Sequence, residues 1–145
     1  FGEHGDTSFI PWSGAYVSGV SLDEYYETVE KMGRNVTKID KDAMLEYVRT
    51  SGGQVIANKG ATFYAVSVAV CKLVATILSS SDSVATVSSM MHGEYGIEDV
   101  CLSTLTLVGP KGVQGKIPMR MTKEEVEKLK ASADALKAVI AQIEH

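Results

Sequence analysis

Apolar residues recur along this chain in two periods, and the change from one to the other marks off helices from strands. Tyr25, Tyr26, Val29 and Met32 fall at helical spacing behind Ser21-Leu22-Asp23-Glu24, a pattern in which a hydroxyl and a carboxylate satisfy each other's backbone donors at a helix start. The spacing predicts a helix over residues 21–32. Asp40 caps a second predicted helix carrying Ala43, Met44, Tyr47 and Val48. Gly52-Gly53 lies in or beside its later turns, where each glycine costs about 1 kcal/mol relative to alanine. Lys59-Gly60 then breaks the chain, and residues 61–79 are apolar around most of the circumference: Phe63, Val66, Val68, Val70, Leu73, Val74, Ile77 and Leu78. A helix apolar all round is expected in a core. Lys72, Ser67 and Thr76 dilute the run, so the reading is a buried helix and not a bilayer span.

The period then shortens. Three β-rich runs, residues 83–91, 99–108 and 112–121, are separated by Gly93-Glu94-Tyr95-Gly96 and Gly109-Pro110-Lys111-Gly112. Their turn chemistry predicts an antiparallel meander. Residues 8–20, with Phe9, Ile10, Trp12, Tyr16 and Val17 interrupted by Pro11 and Gly14, read as a strand that bends or bulges. Thr122-Lys123-Glu124-Glu125 forms another capping pattern. Behind it Val126, Leu129, Ala133, Leu136, Val139, Ile140 and Ile143 mark one face of a terminal helix. No repeat or flexible linker divides the chain, and the predicted fold is one α+β unit with helices packed on an antiparallel sheet.

Composition narrows the function classes. The 145 residues make about one domain, 45% hydrophobic and 22% charged, which is the balance of an ordinary globular protein and not a disordered one. A net charge of −4 offers no footprint for nucleic acid or an anionic membrane. Cys71 and Cys101 stand singly in apolar runs, without the paired spacing of a zinc or dithiol site. Both are expected as buried, reduced thiols. No basic, leader-like stretch opens the chain, and the expected location is cytoplasmic.

The candidate chemistry lies in Gly2-Glu3-His4-Gly5-Asp6. Histidine, with an unperturbed pKa of ~6.5, exchanges protons around neutral pH, and flanking glycines let backbone approach a ligand. On spacing alone His4 is ambiguous, since a lone histidine near a terminus is more often a surface residue than a catalyst. Glu3 and Asp6 beside it make a weak metal set, and no metal site is expected. His92 and His145 show no partner pattern and read as surface positions. No G-x-G-x-x-G fingerprint occurs, so nothing here would hold a dinucleotide pyrophosphate.

Five segments carry a resemblance. Gly2 to Asp6, Pro11-Trp12-Ser13-Gly14, Lys59-Gly60-Ala61-Thr62-Phe63-Tyr64, Gly93-Glu94-Tyr95-Gly96-Ile97-Glu98-Asp99-Val100, and Ser132-Ala133 before Leu136 resemble the L-lactate and malate dehydrogenases in order and approximate spacing. Residues 1–145 are similar to the carboxyl-terminal catalytic, substrate-binding portion of that family. Its nucleotide-binding Rossmann domain, which normally stands upstream, is not within this chain. Trp12-Ser13 and the Lys-Gly-Ala-Thr run resemble the lactate branch.

The resemblance implies NAD-dependent interconversion of pyruvate and L-lactate, with His4 as the proton donor and acceptor. It implies that Thr62 lines the substrate pocket and that Val66 packs near the nicotinamide. The orienting aspartate, the carboxylate-binding arginine and the mobile-loop arginine belong to the upstream portion. Arg34, Arg49 and Arg120 match no family substrate arginine, and Asp6 does not take the aspartate's role. The implied partners are pyruvate or L-lactate, the missing nucleotide-binding portion and further copies in a dimer or tetramer. The implied setting is cytoplasmic glycolysis and pyruvate fermentation. Gly52-Gly53 stands where the family usually carries larger residues, leaving room for a bulkier 2-oxo acid, or else marks a helix kink or close helix packing. Malate, a broader L-2-hydroxy acid, or a non-catalytic assembly module of the same fold are the alternatives.

Overall fold

The computed structural model describes residues 1–143; His145 lies outside them. After a 3-10 turn at Trp12–Gly14 comes a small hairpin of β1 (Tyr16–Val17) and β2 (Val20–Ser21). The expected bent strand over residues 8–20 is therefore mostly turn and loop. Pro11 lacks the donor a ladder needs, and Ser18 and Gly19 both take positive φ in the two-residue connection.

Helix α1 (Leu22–Lys31) begins where the sequence placed it, with Ser21 and Glu24 forming the reciprocal capping box. Helix α2 (Lys41–Lys59) starts at Asp40, whose Oδ1 accepts from the N–H groups of Asp42 and Ala43 at 3.1 and 3.0 Å. It runs through Gly52-Gly53 as one helix and ends at Gly60, whose φ of +82° supplies the left-handed cap. Helix α3 (Tyr64–Leu78) follows after a three-residue corner.

Strands β3 (Ser83–His92), β4 (Glu98–Gly109) and β5 (Gly112–Lys116) form the predicted antiparallel meander, in the order β3-β4-β5. The third strand is shorter than expected because Pro118 cannot donate to the ladder. Along β4, Val100, Leu102, Thr104, Thr106 and Val108 are buried, and the residues between them are not. Helix α4 (Lys123–Ile143) lies on the sheet and buries Leu129, Ser132 and Ala133. Leu129 and Ala133 join Phe9, Met91, Ile97, Val100 and Leu102 in the apolar core, and Ser132 is a buried polar residue beside them. The apolar stripe of α4 is only half used, since Val139, Ile140 and Ile143 remain exposed.

Two burial expectations are overturned. Helix α3 has no buried residue among its fifteen, although its hydrophobic positions surround the axis. It contacts the sheet along one edge and leaves Val66, Val68, Val70, Val74 and Leu78 open. Cys71 and Cys101 are free thiols but exposed. Cys71 shares the exposure of α3, and Cys101 points to the face of β4 opposite Val100 and Leu102. No helix among the described residues is long and apolar enough to cross a membrane.

Candidate active site

His4 stands on a loop held on both flanks. Phe1 N donates to Phe9 O at 2.7 Å, Phe9 N–H returns to Phe1 O at 3.1 Å, and the two rings meet edge to face. Gly2 pairs with Ser103 of β4 through reciprocal bonds of 3.0 and 2.9 Å. Ser8 N–H closes the turn onto Gly5 O at 3.1 Å. Just before His4, the loop is tied to α4 by Glu3 N–H, which donates to Ser132 Oγ at 2.7 Å. The Glu3 carboxylate accepts from both the amide and the hydroxyl of Thr7, so it is engaged inside the loop.

Gly2 is required where it stands. Its φ is +94°, and a Cβ there would lie 2.6 Å from Ser132 Oγ. The close approach of the loop to the buried Ser132 thus depends on having no side chain at position 2. Held in this way, the backbone around His4 is fixed while its imidazole is exposed. It borders a depression of about 460 Å3 with Met90, Asp99, Cys101, Leu136 and Ile140.

Downstream of the loop, Ser13 is anchored to the start of α4. Its N–H and Oγ–H donate to Glu125 at 3.0 and 2.5 Å, and Thr122 N–H adds a third bond at 2.8 Å. Burial pushes the Glu125 carboxyl up, but the bonds from Ser13 and Thr122 outweigh it and hold the group below the ordinary glutamate value.

Thr62 lies on the exposed corner between α2 and α3. The Lys59 ammonium sits 4.2 Å from the Phe63 ring centre and 4.4 Å from that of Tyr64, bracing this corner. Val66 is in the first turn of α3 and is 52% exposed. Neither Thr62 nor Val66 lines the depression beside His4. His92 ends β3 at the surface, where its N–H donates to Glu94 at 2.7 Å. That bond is the main cause holding the Glu94 carboxyl below its ordinary value. Among the described residues, no group of three histidine, cysteine, aspartate or glutamate side chains assembles a metal site.

The sequence placed Glu125 in a helix cap and Ser132 in a matching segment and set Arg49 aside as no substrate arginine, without showing that these residues hold the segments around His4 and Ser13. Arg49 reaches from α2 to the carbonyl of Ser8, with Nε at 3.1 Å and a second guanidinium nitrogen on the same oxygen. Periodicity could not show this, because the contact joins positions 41 residues apart.

The family model of the lactate/malate dehydrogenase alpha/beta C-terminal domain matches residues 1–145, and the chain belongs to this family. Its relatives include L-lactate dehydrogenases. Those of Acetivibrio thermocellus and Thermoanaerobacterium saccharolyticum are 36% and 41% identical over 143 residues, which is 99% of this chain and 44% and 45% of theirs. A minor L-lactate dehydrogenase from Enterococcus mundtii, in a ligands-bound form, superposes with a TM-score of 0.87 at 30% identity over 98% of this chain and 44% of its own. A malate dehydrogenase from Archaeoglobus fulgidus in complex with NADH reaches 0.81 at 28%, over 99% of this chain and 42% of its own. The chain spans less than half the length of the curated relatives it matches.

Proposed function

We propose that this chain is the substrate-domain portion of an NAD-dependent L-lactate dehydrogenase that interconverts pyruvate and L-lactate, with His4 as proton donor and acceptor. The observation that carries the reading is an exposed histidine on a loop fixed at both flanks, within a chain matching the family domain from end to end. Hydride addition to a carbonyl carbon drives the C=O electron pair onto oxygen. An imidazolium at that oxygen stabilises the growing charge and then neutralises it by giving up its proton. In the reverse direction neutral His4 takes the hydroxyl proton as hydride leaves.

NADH would supply the hydride. Its pyrophosphate does not fit this chain, because the described sheet is an antiparallel meander without a glycine-rich strand-to-helix turn. The nucleotide-binding portion is the proposed partner, and the open apolar surface of α3 supports it, since about five exposed valines and leucines on one helix favour a covering surface. Within this reading Thr62 contributes a hydroxyl to the pocket wall and Val66 an apolar contact to the nicotinamide. A dimer or tetramer in the cytoplasm, in glycolytic pyruvate fermentation, is part of the same proposal.

The test is pyruvate reduction by the full-length enzyme, followed as loss of NADH absorbance. His4→Gln should lower turnover by about 10²- to 10⁴-fold; a loss of less than tenfold overturns the assignment. The likeness to the Archaeoglobus malate dehydrogenase favours one second reading. If oxaloacetate is turned over faster than pyruvate, malate replaces lactate and the role of His4 stands.

A further inference from the structure

Helix α2 has no buried residue to fix its position. Leu45 and Val48 on it face Phe1, Phe9 and Pro11 across a cleft of about 290 Å3. Arg49 bridges the two sides, and both of its donors fall on one oxygen, Ser8 O. The peptide unit it grips is bonded at its other end as well, because Phe9 N–H donates to Phe1 O. Polarising a carbonyl strengthens the bond made by the N–H of the same peptide unit. The adjoining peptide closes the turn, with Ser8 N–H on Gly5 O, the residue next to His4. Downstream, α2 runs ten residues past Arg49 and delivers the corner that holds Thr62. The five ion pairs among the described residues do not include Arg49, so its charge is not committed to a carboxylate. Its contact is with the histidine loop.

We infer that Arg49 is a positioning residue that, through the Ser8 carbonyl, sets the His4 loop at a fixed distance from α2 and from the corner bearing Thr62. The inference rests on the reading of His4 as proton donor. Arg49 touches neither substrate nor cofactor in this assignment. It acts by holding the imidazole where the carbonyl oxygen arrives, and a displacement on the order of 1 Å at a reacting group can cost as much as about 10²-fold in rate.

The experiment is made in the full-length enzyme with Arg49→Met, Arg49→Lys and, as a control on the underlying reading, His4→Gln. Arg49→Met is expected to lower kcat by about tenfold while leaving the KM for NADH unchanged, because the loop and not the cofactor site is released. Arg49→Lys, which keeps the charge and one donor direction, should recover to within about threefold of the parent enzyme. Amide exchange at Phe9 should quicken by about tenfold in Arg49→Met and stay unchanged at the core strand residue Leu102, a difference a general loss of stability would not produce. A kcat within twofold of the parent, or equal losses in the methionine and lysine variants, overturns the inference. Should Arg49→Met fail to fold, Arg49→Gln, too short to span the cleft, is read by the same two measurements. Full turnover in His4→Gln removes the underlying proton-donor reading instead, while unchanged Phe9 exchange removes the clasp itself.

Discussion

Replacing Glu125 by glutamine keeps the side chain's shape and removes its charge, and the structure says what that should cost. Glu125 is 8% exposed, and its two oxygens take three donors: Ser13 N–H on one, Ser13 Oγ–H and Thr122 N–H on the other. The amide has a single acceptor oxygen, so in either orientation its NH2 group confronts at least one of those N–H donors. Losing charge assistance and stranding one donor should together cost about 2–3 kcal/mol. At about 2–4 °C per kcal/mol for a protein of this size, Tm should fall by roughly 5–10 °C at pH 7.

The pH dependence distinguishes this cause from a packing defect. Because the folded-state pKa of Glu125 is lowered, its contribution is fully present above the ordinary glutamate value of 4.5 and is lost as pH falls through the folded value. The gap in Tm between parent and Glu125→Gln, measured by calorimetry, should therefore stay constant from neutral pH down to about 5.5, narrow below the ordinary value, and close in strong acid. A gap that persists unchanged into strong acid refutes the reasoning, as does one under 2 °C at neutral pH.

Four further outcomes are expected at other positions. Gly2→Ala puts a Cβ 2.6 Å from Ser132 Oγ at a φ of +94°, so it should destabilise by about 2–4 kcal/mol and lower turnover more than it lowers Tm at other sites of equal cost. Ser132→Ala strands the half-buried Glu3 N–H; a loss of about 1–3 kcal/mol in denaturant unfolding is expected. Gly52→Ala meets nothing within 4 Å, so it should stabilise α2 by about 0.5–1 kcal/mol. If Gly52-Gly53 makes room for a bulky 2-oxo acid, the same change should also lower the ratio of bulky-substrate to pyruvate turnover, and an unchanged ratio discards that idea. The 145-residue chain mixed alone with NADH and pyruvate should show no useful loss of absorbance; brisk turnover would overturn the assignment of cofactor and orienting carboxylate to a partner portion.

What the sequence revealed depended on how local the cause was. Ser21, Asp40 and Thr122 announced helix starts because a cap acts within three residues, and each of these starts lies where the pattern put it. Gly93 through Gly96 and Gly109 through Gly112 announced turns for the same reason. The contacts that fix the His4 loop and the turn after it are of another kind. Ser132 lies 129 residues from Glu3, Glu125 lies 112 from Ser13, and Arg49 lies 41 from Ser8. Each is one polar residue whose partner is set by tertiary packing, so no periodicity marks it.

Helix α3 is apolar on every face and yet exposed on most of them. Apolar residues all round a helix state that every face is to be covered; they do not state by what. In the described residues the sheet covers one edge, and side chains such as Tyr64, at 73% exposed, and Leu78, at 80%, meet solvent. Exposed apolar surface is unfavourable by about 25 cal/mol per Å2, so such a helix is stable in service only with a surface laid over it. The Lys59 clamp on Phe63 and Tyr64 braces the corner leading into this helix before any cover arrives. A covering partner would thus meet a helix whose leading corner is already braced by this chain's own Lys59, Phe63 and Tyr64.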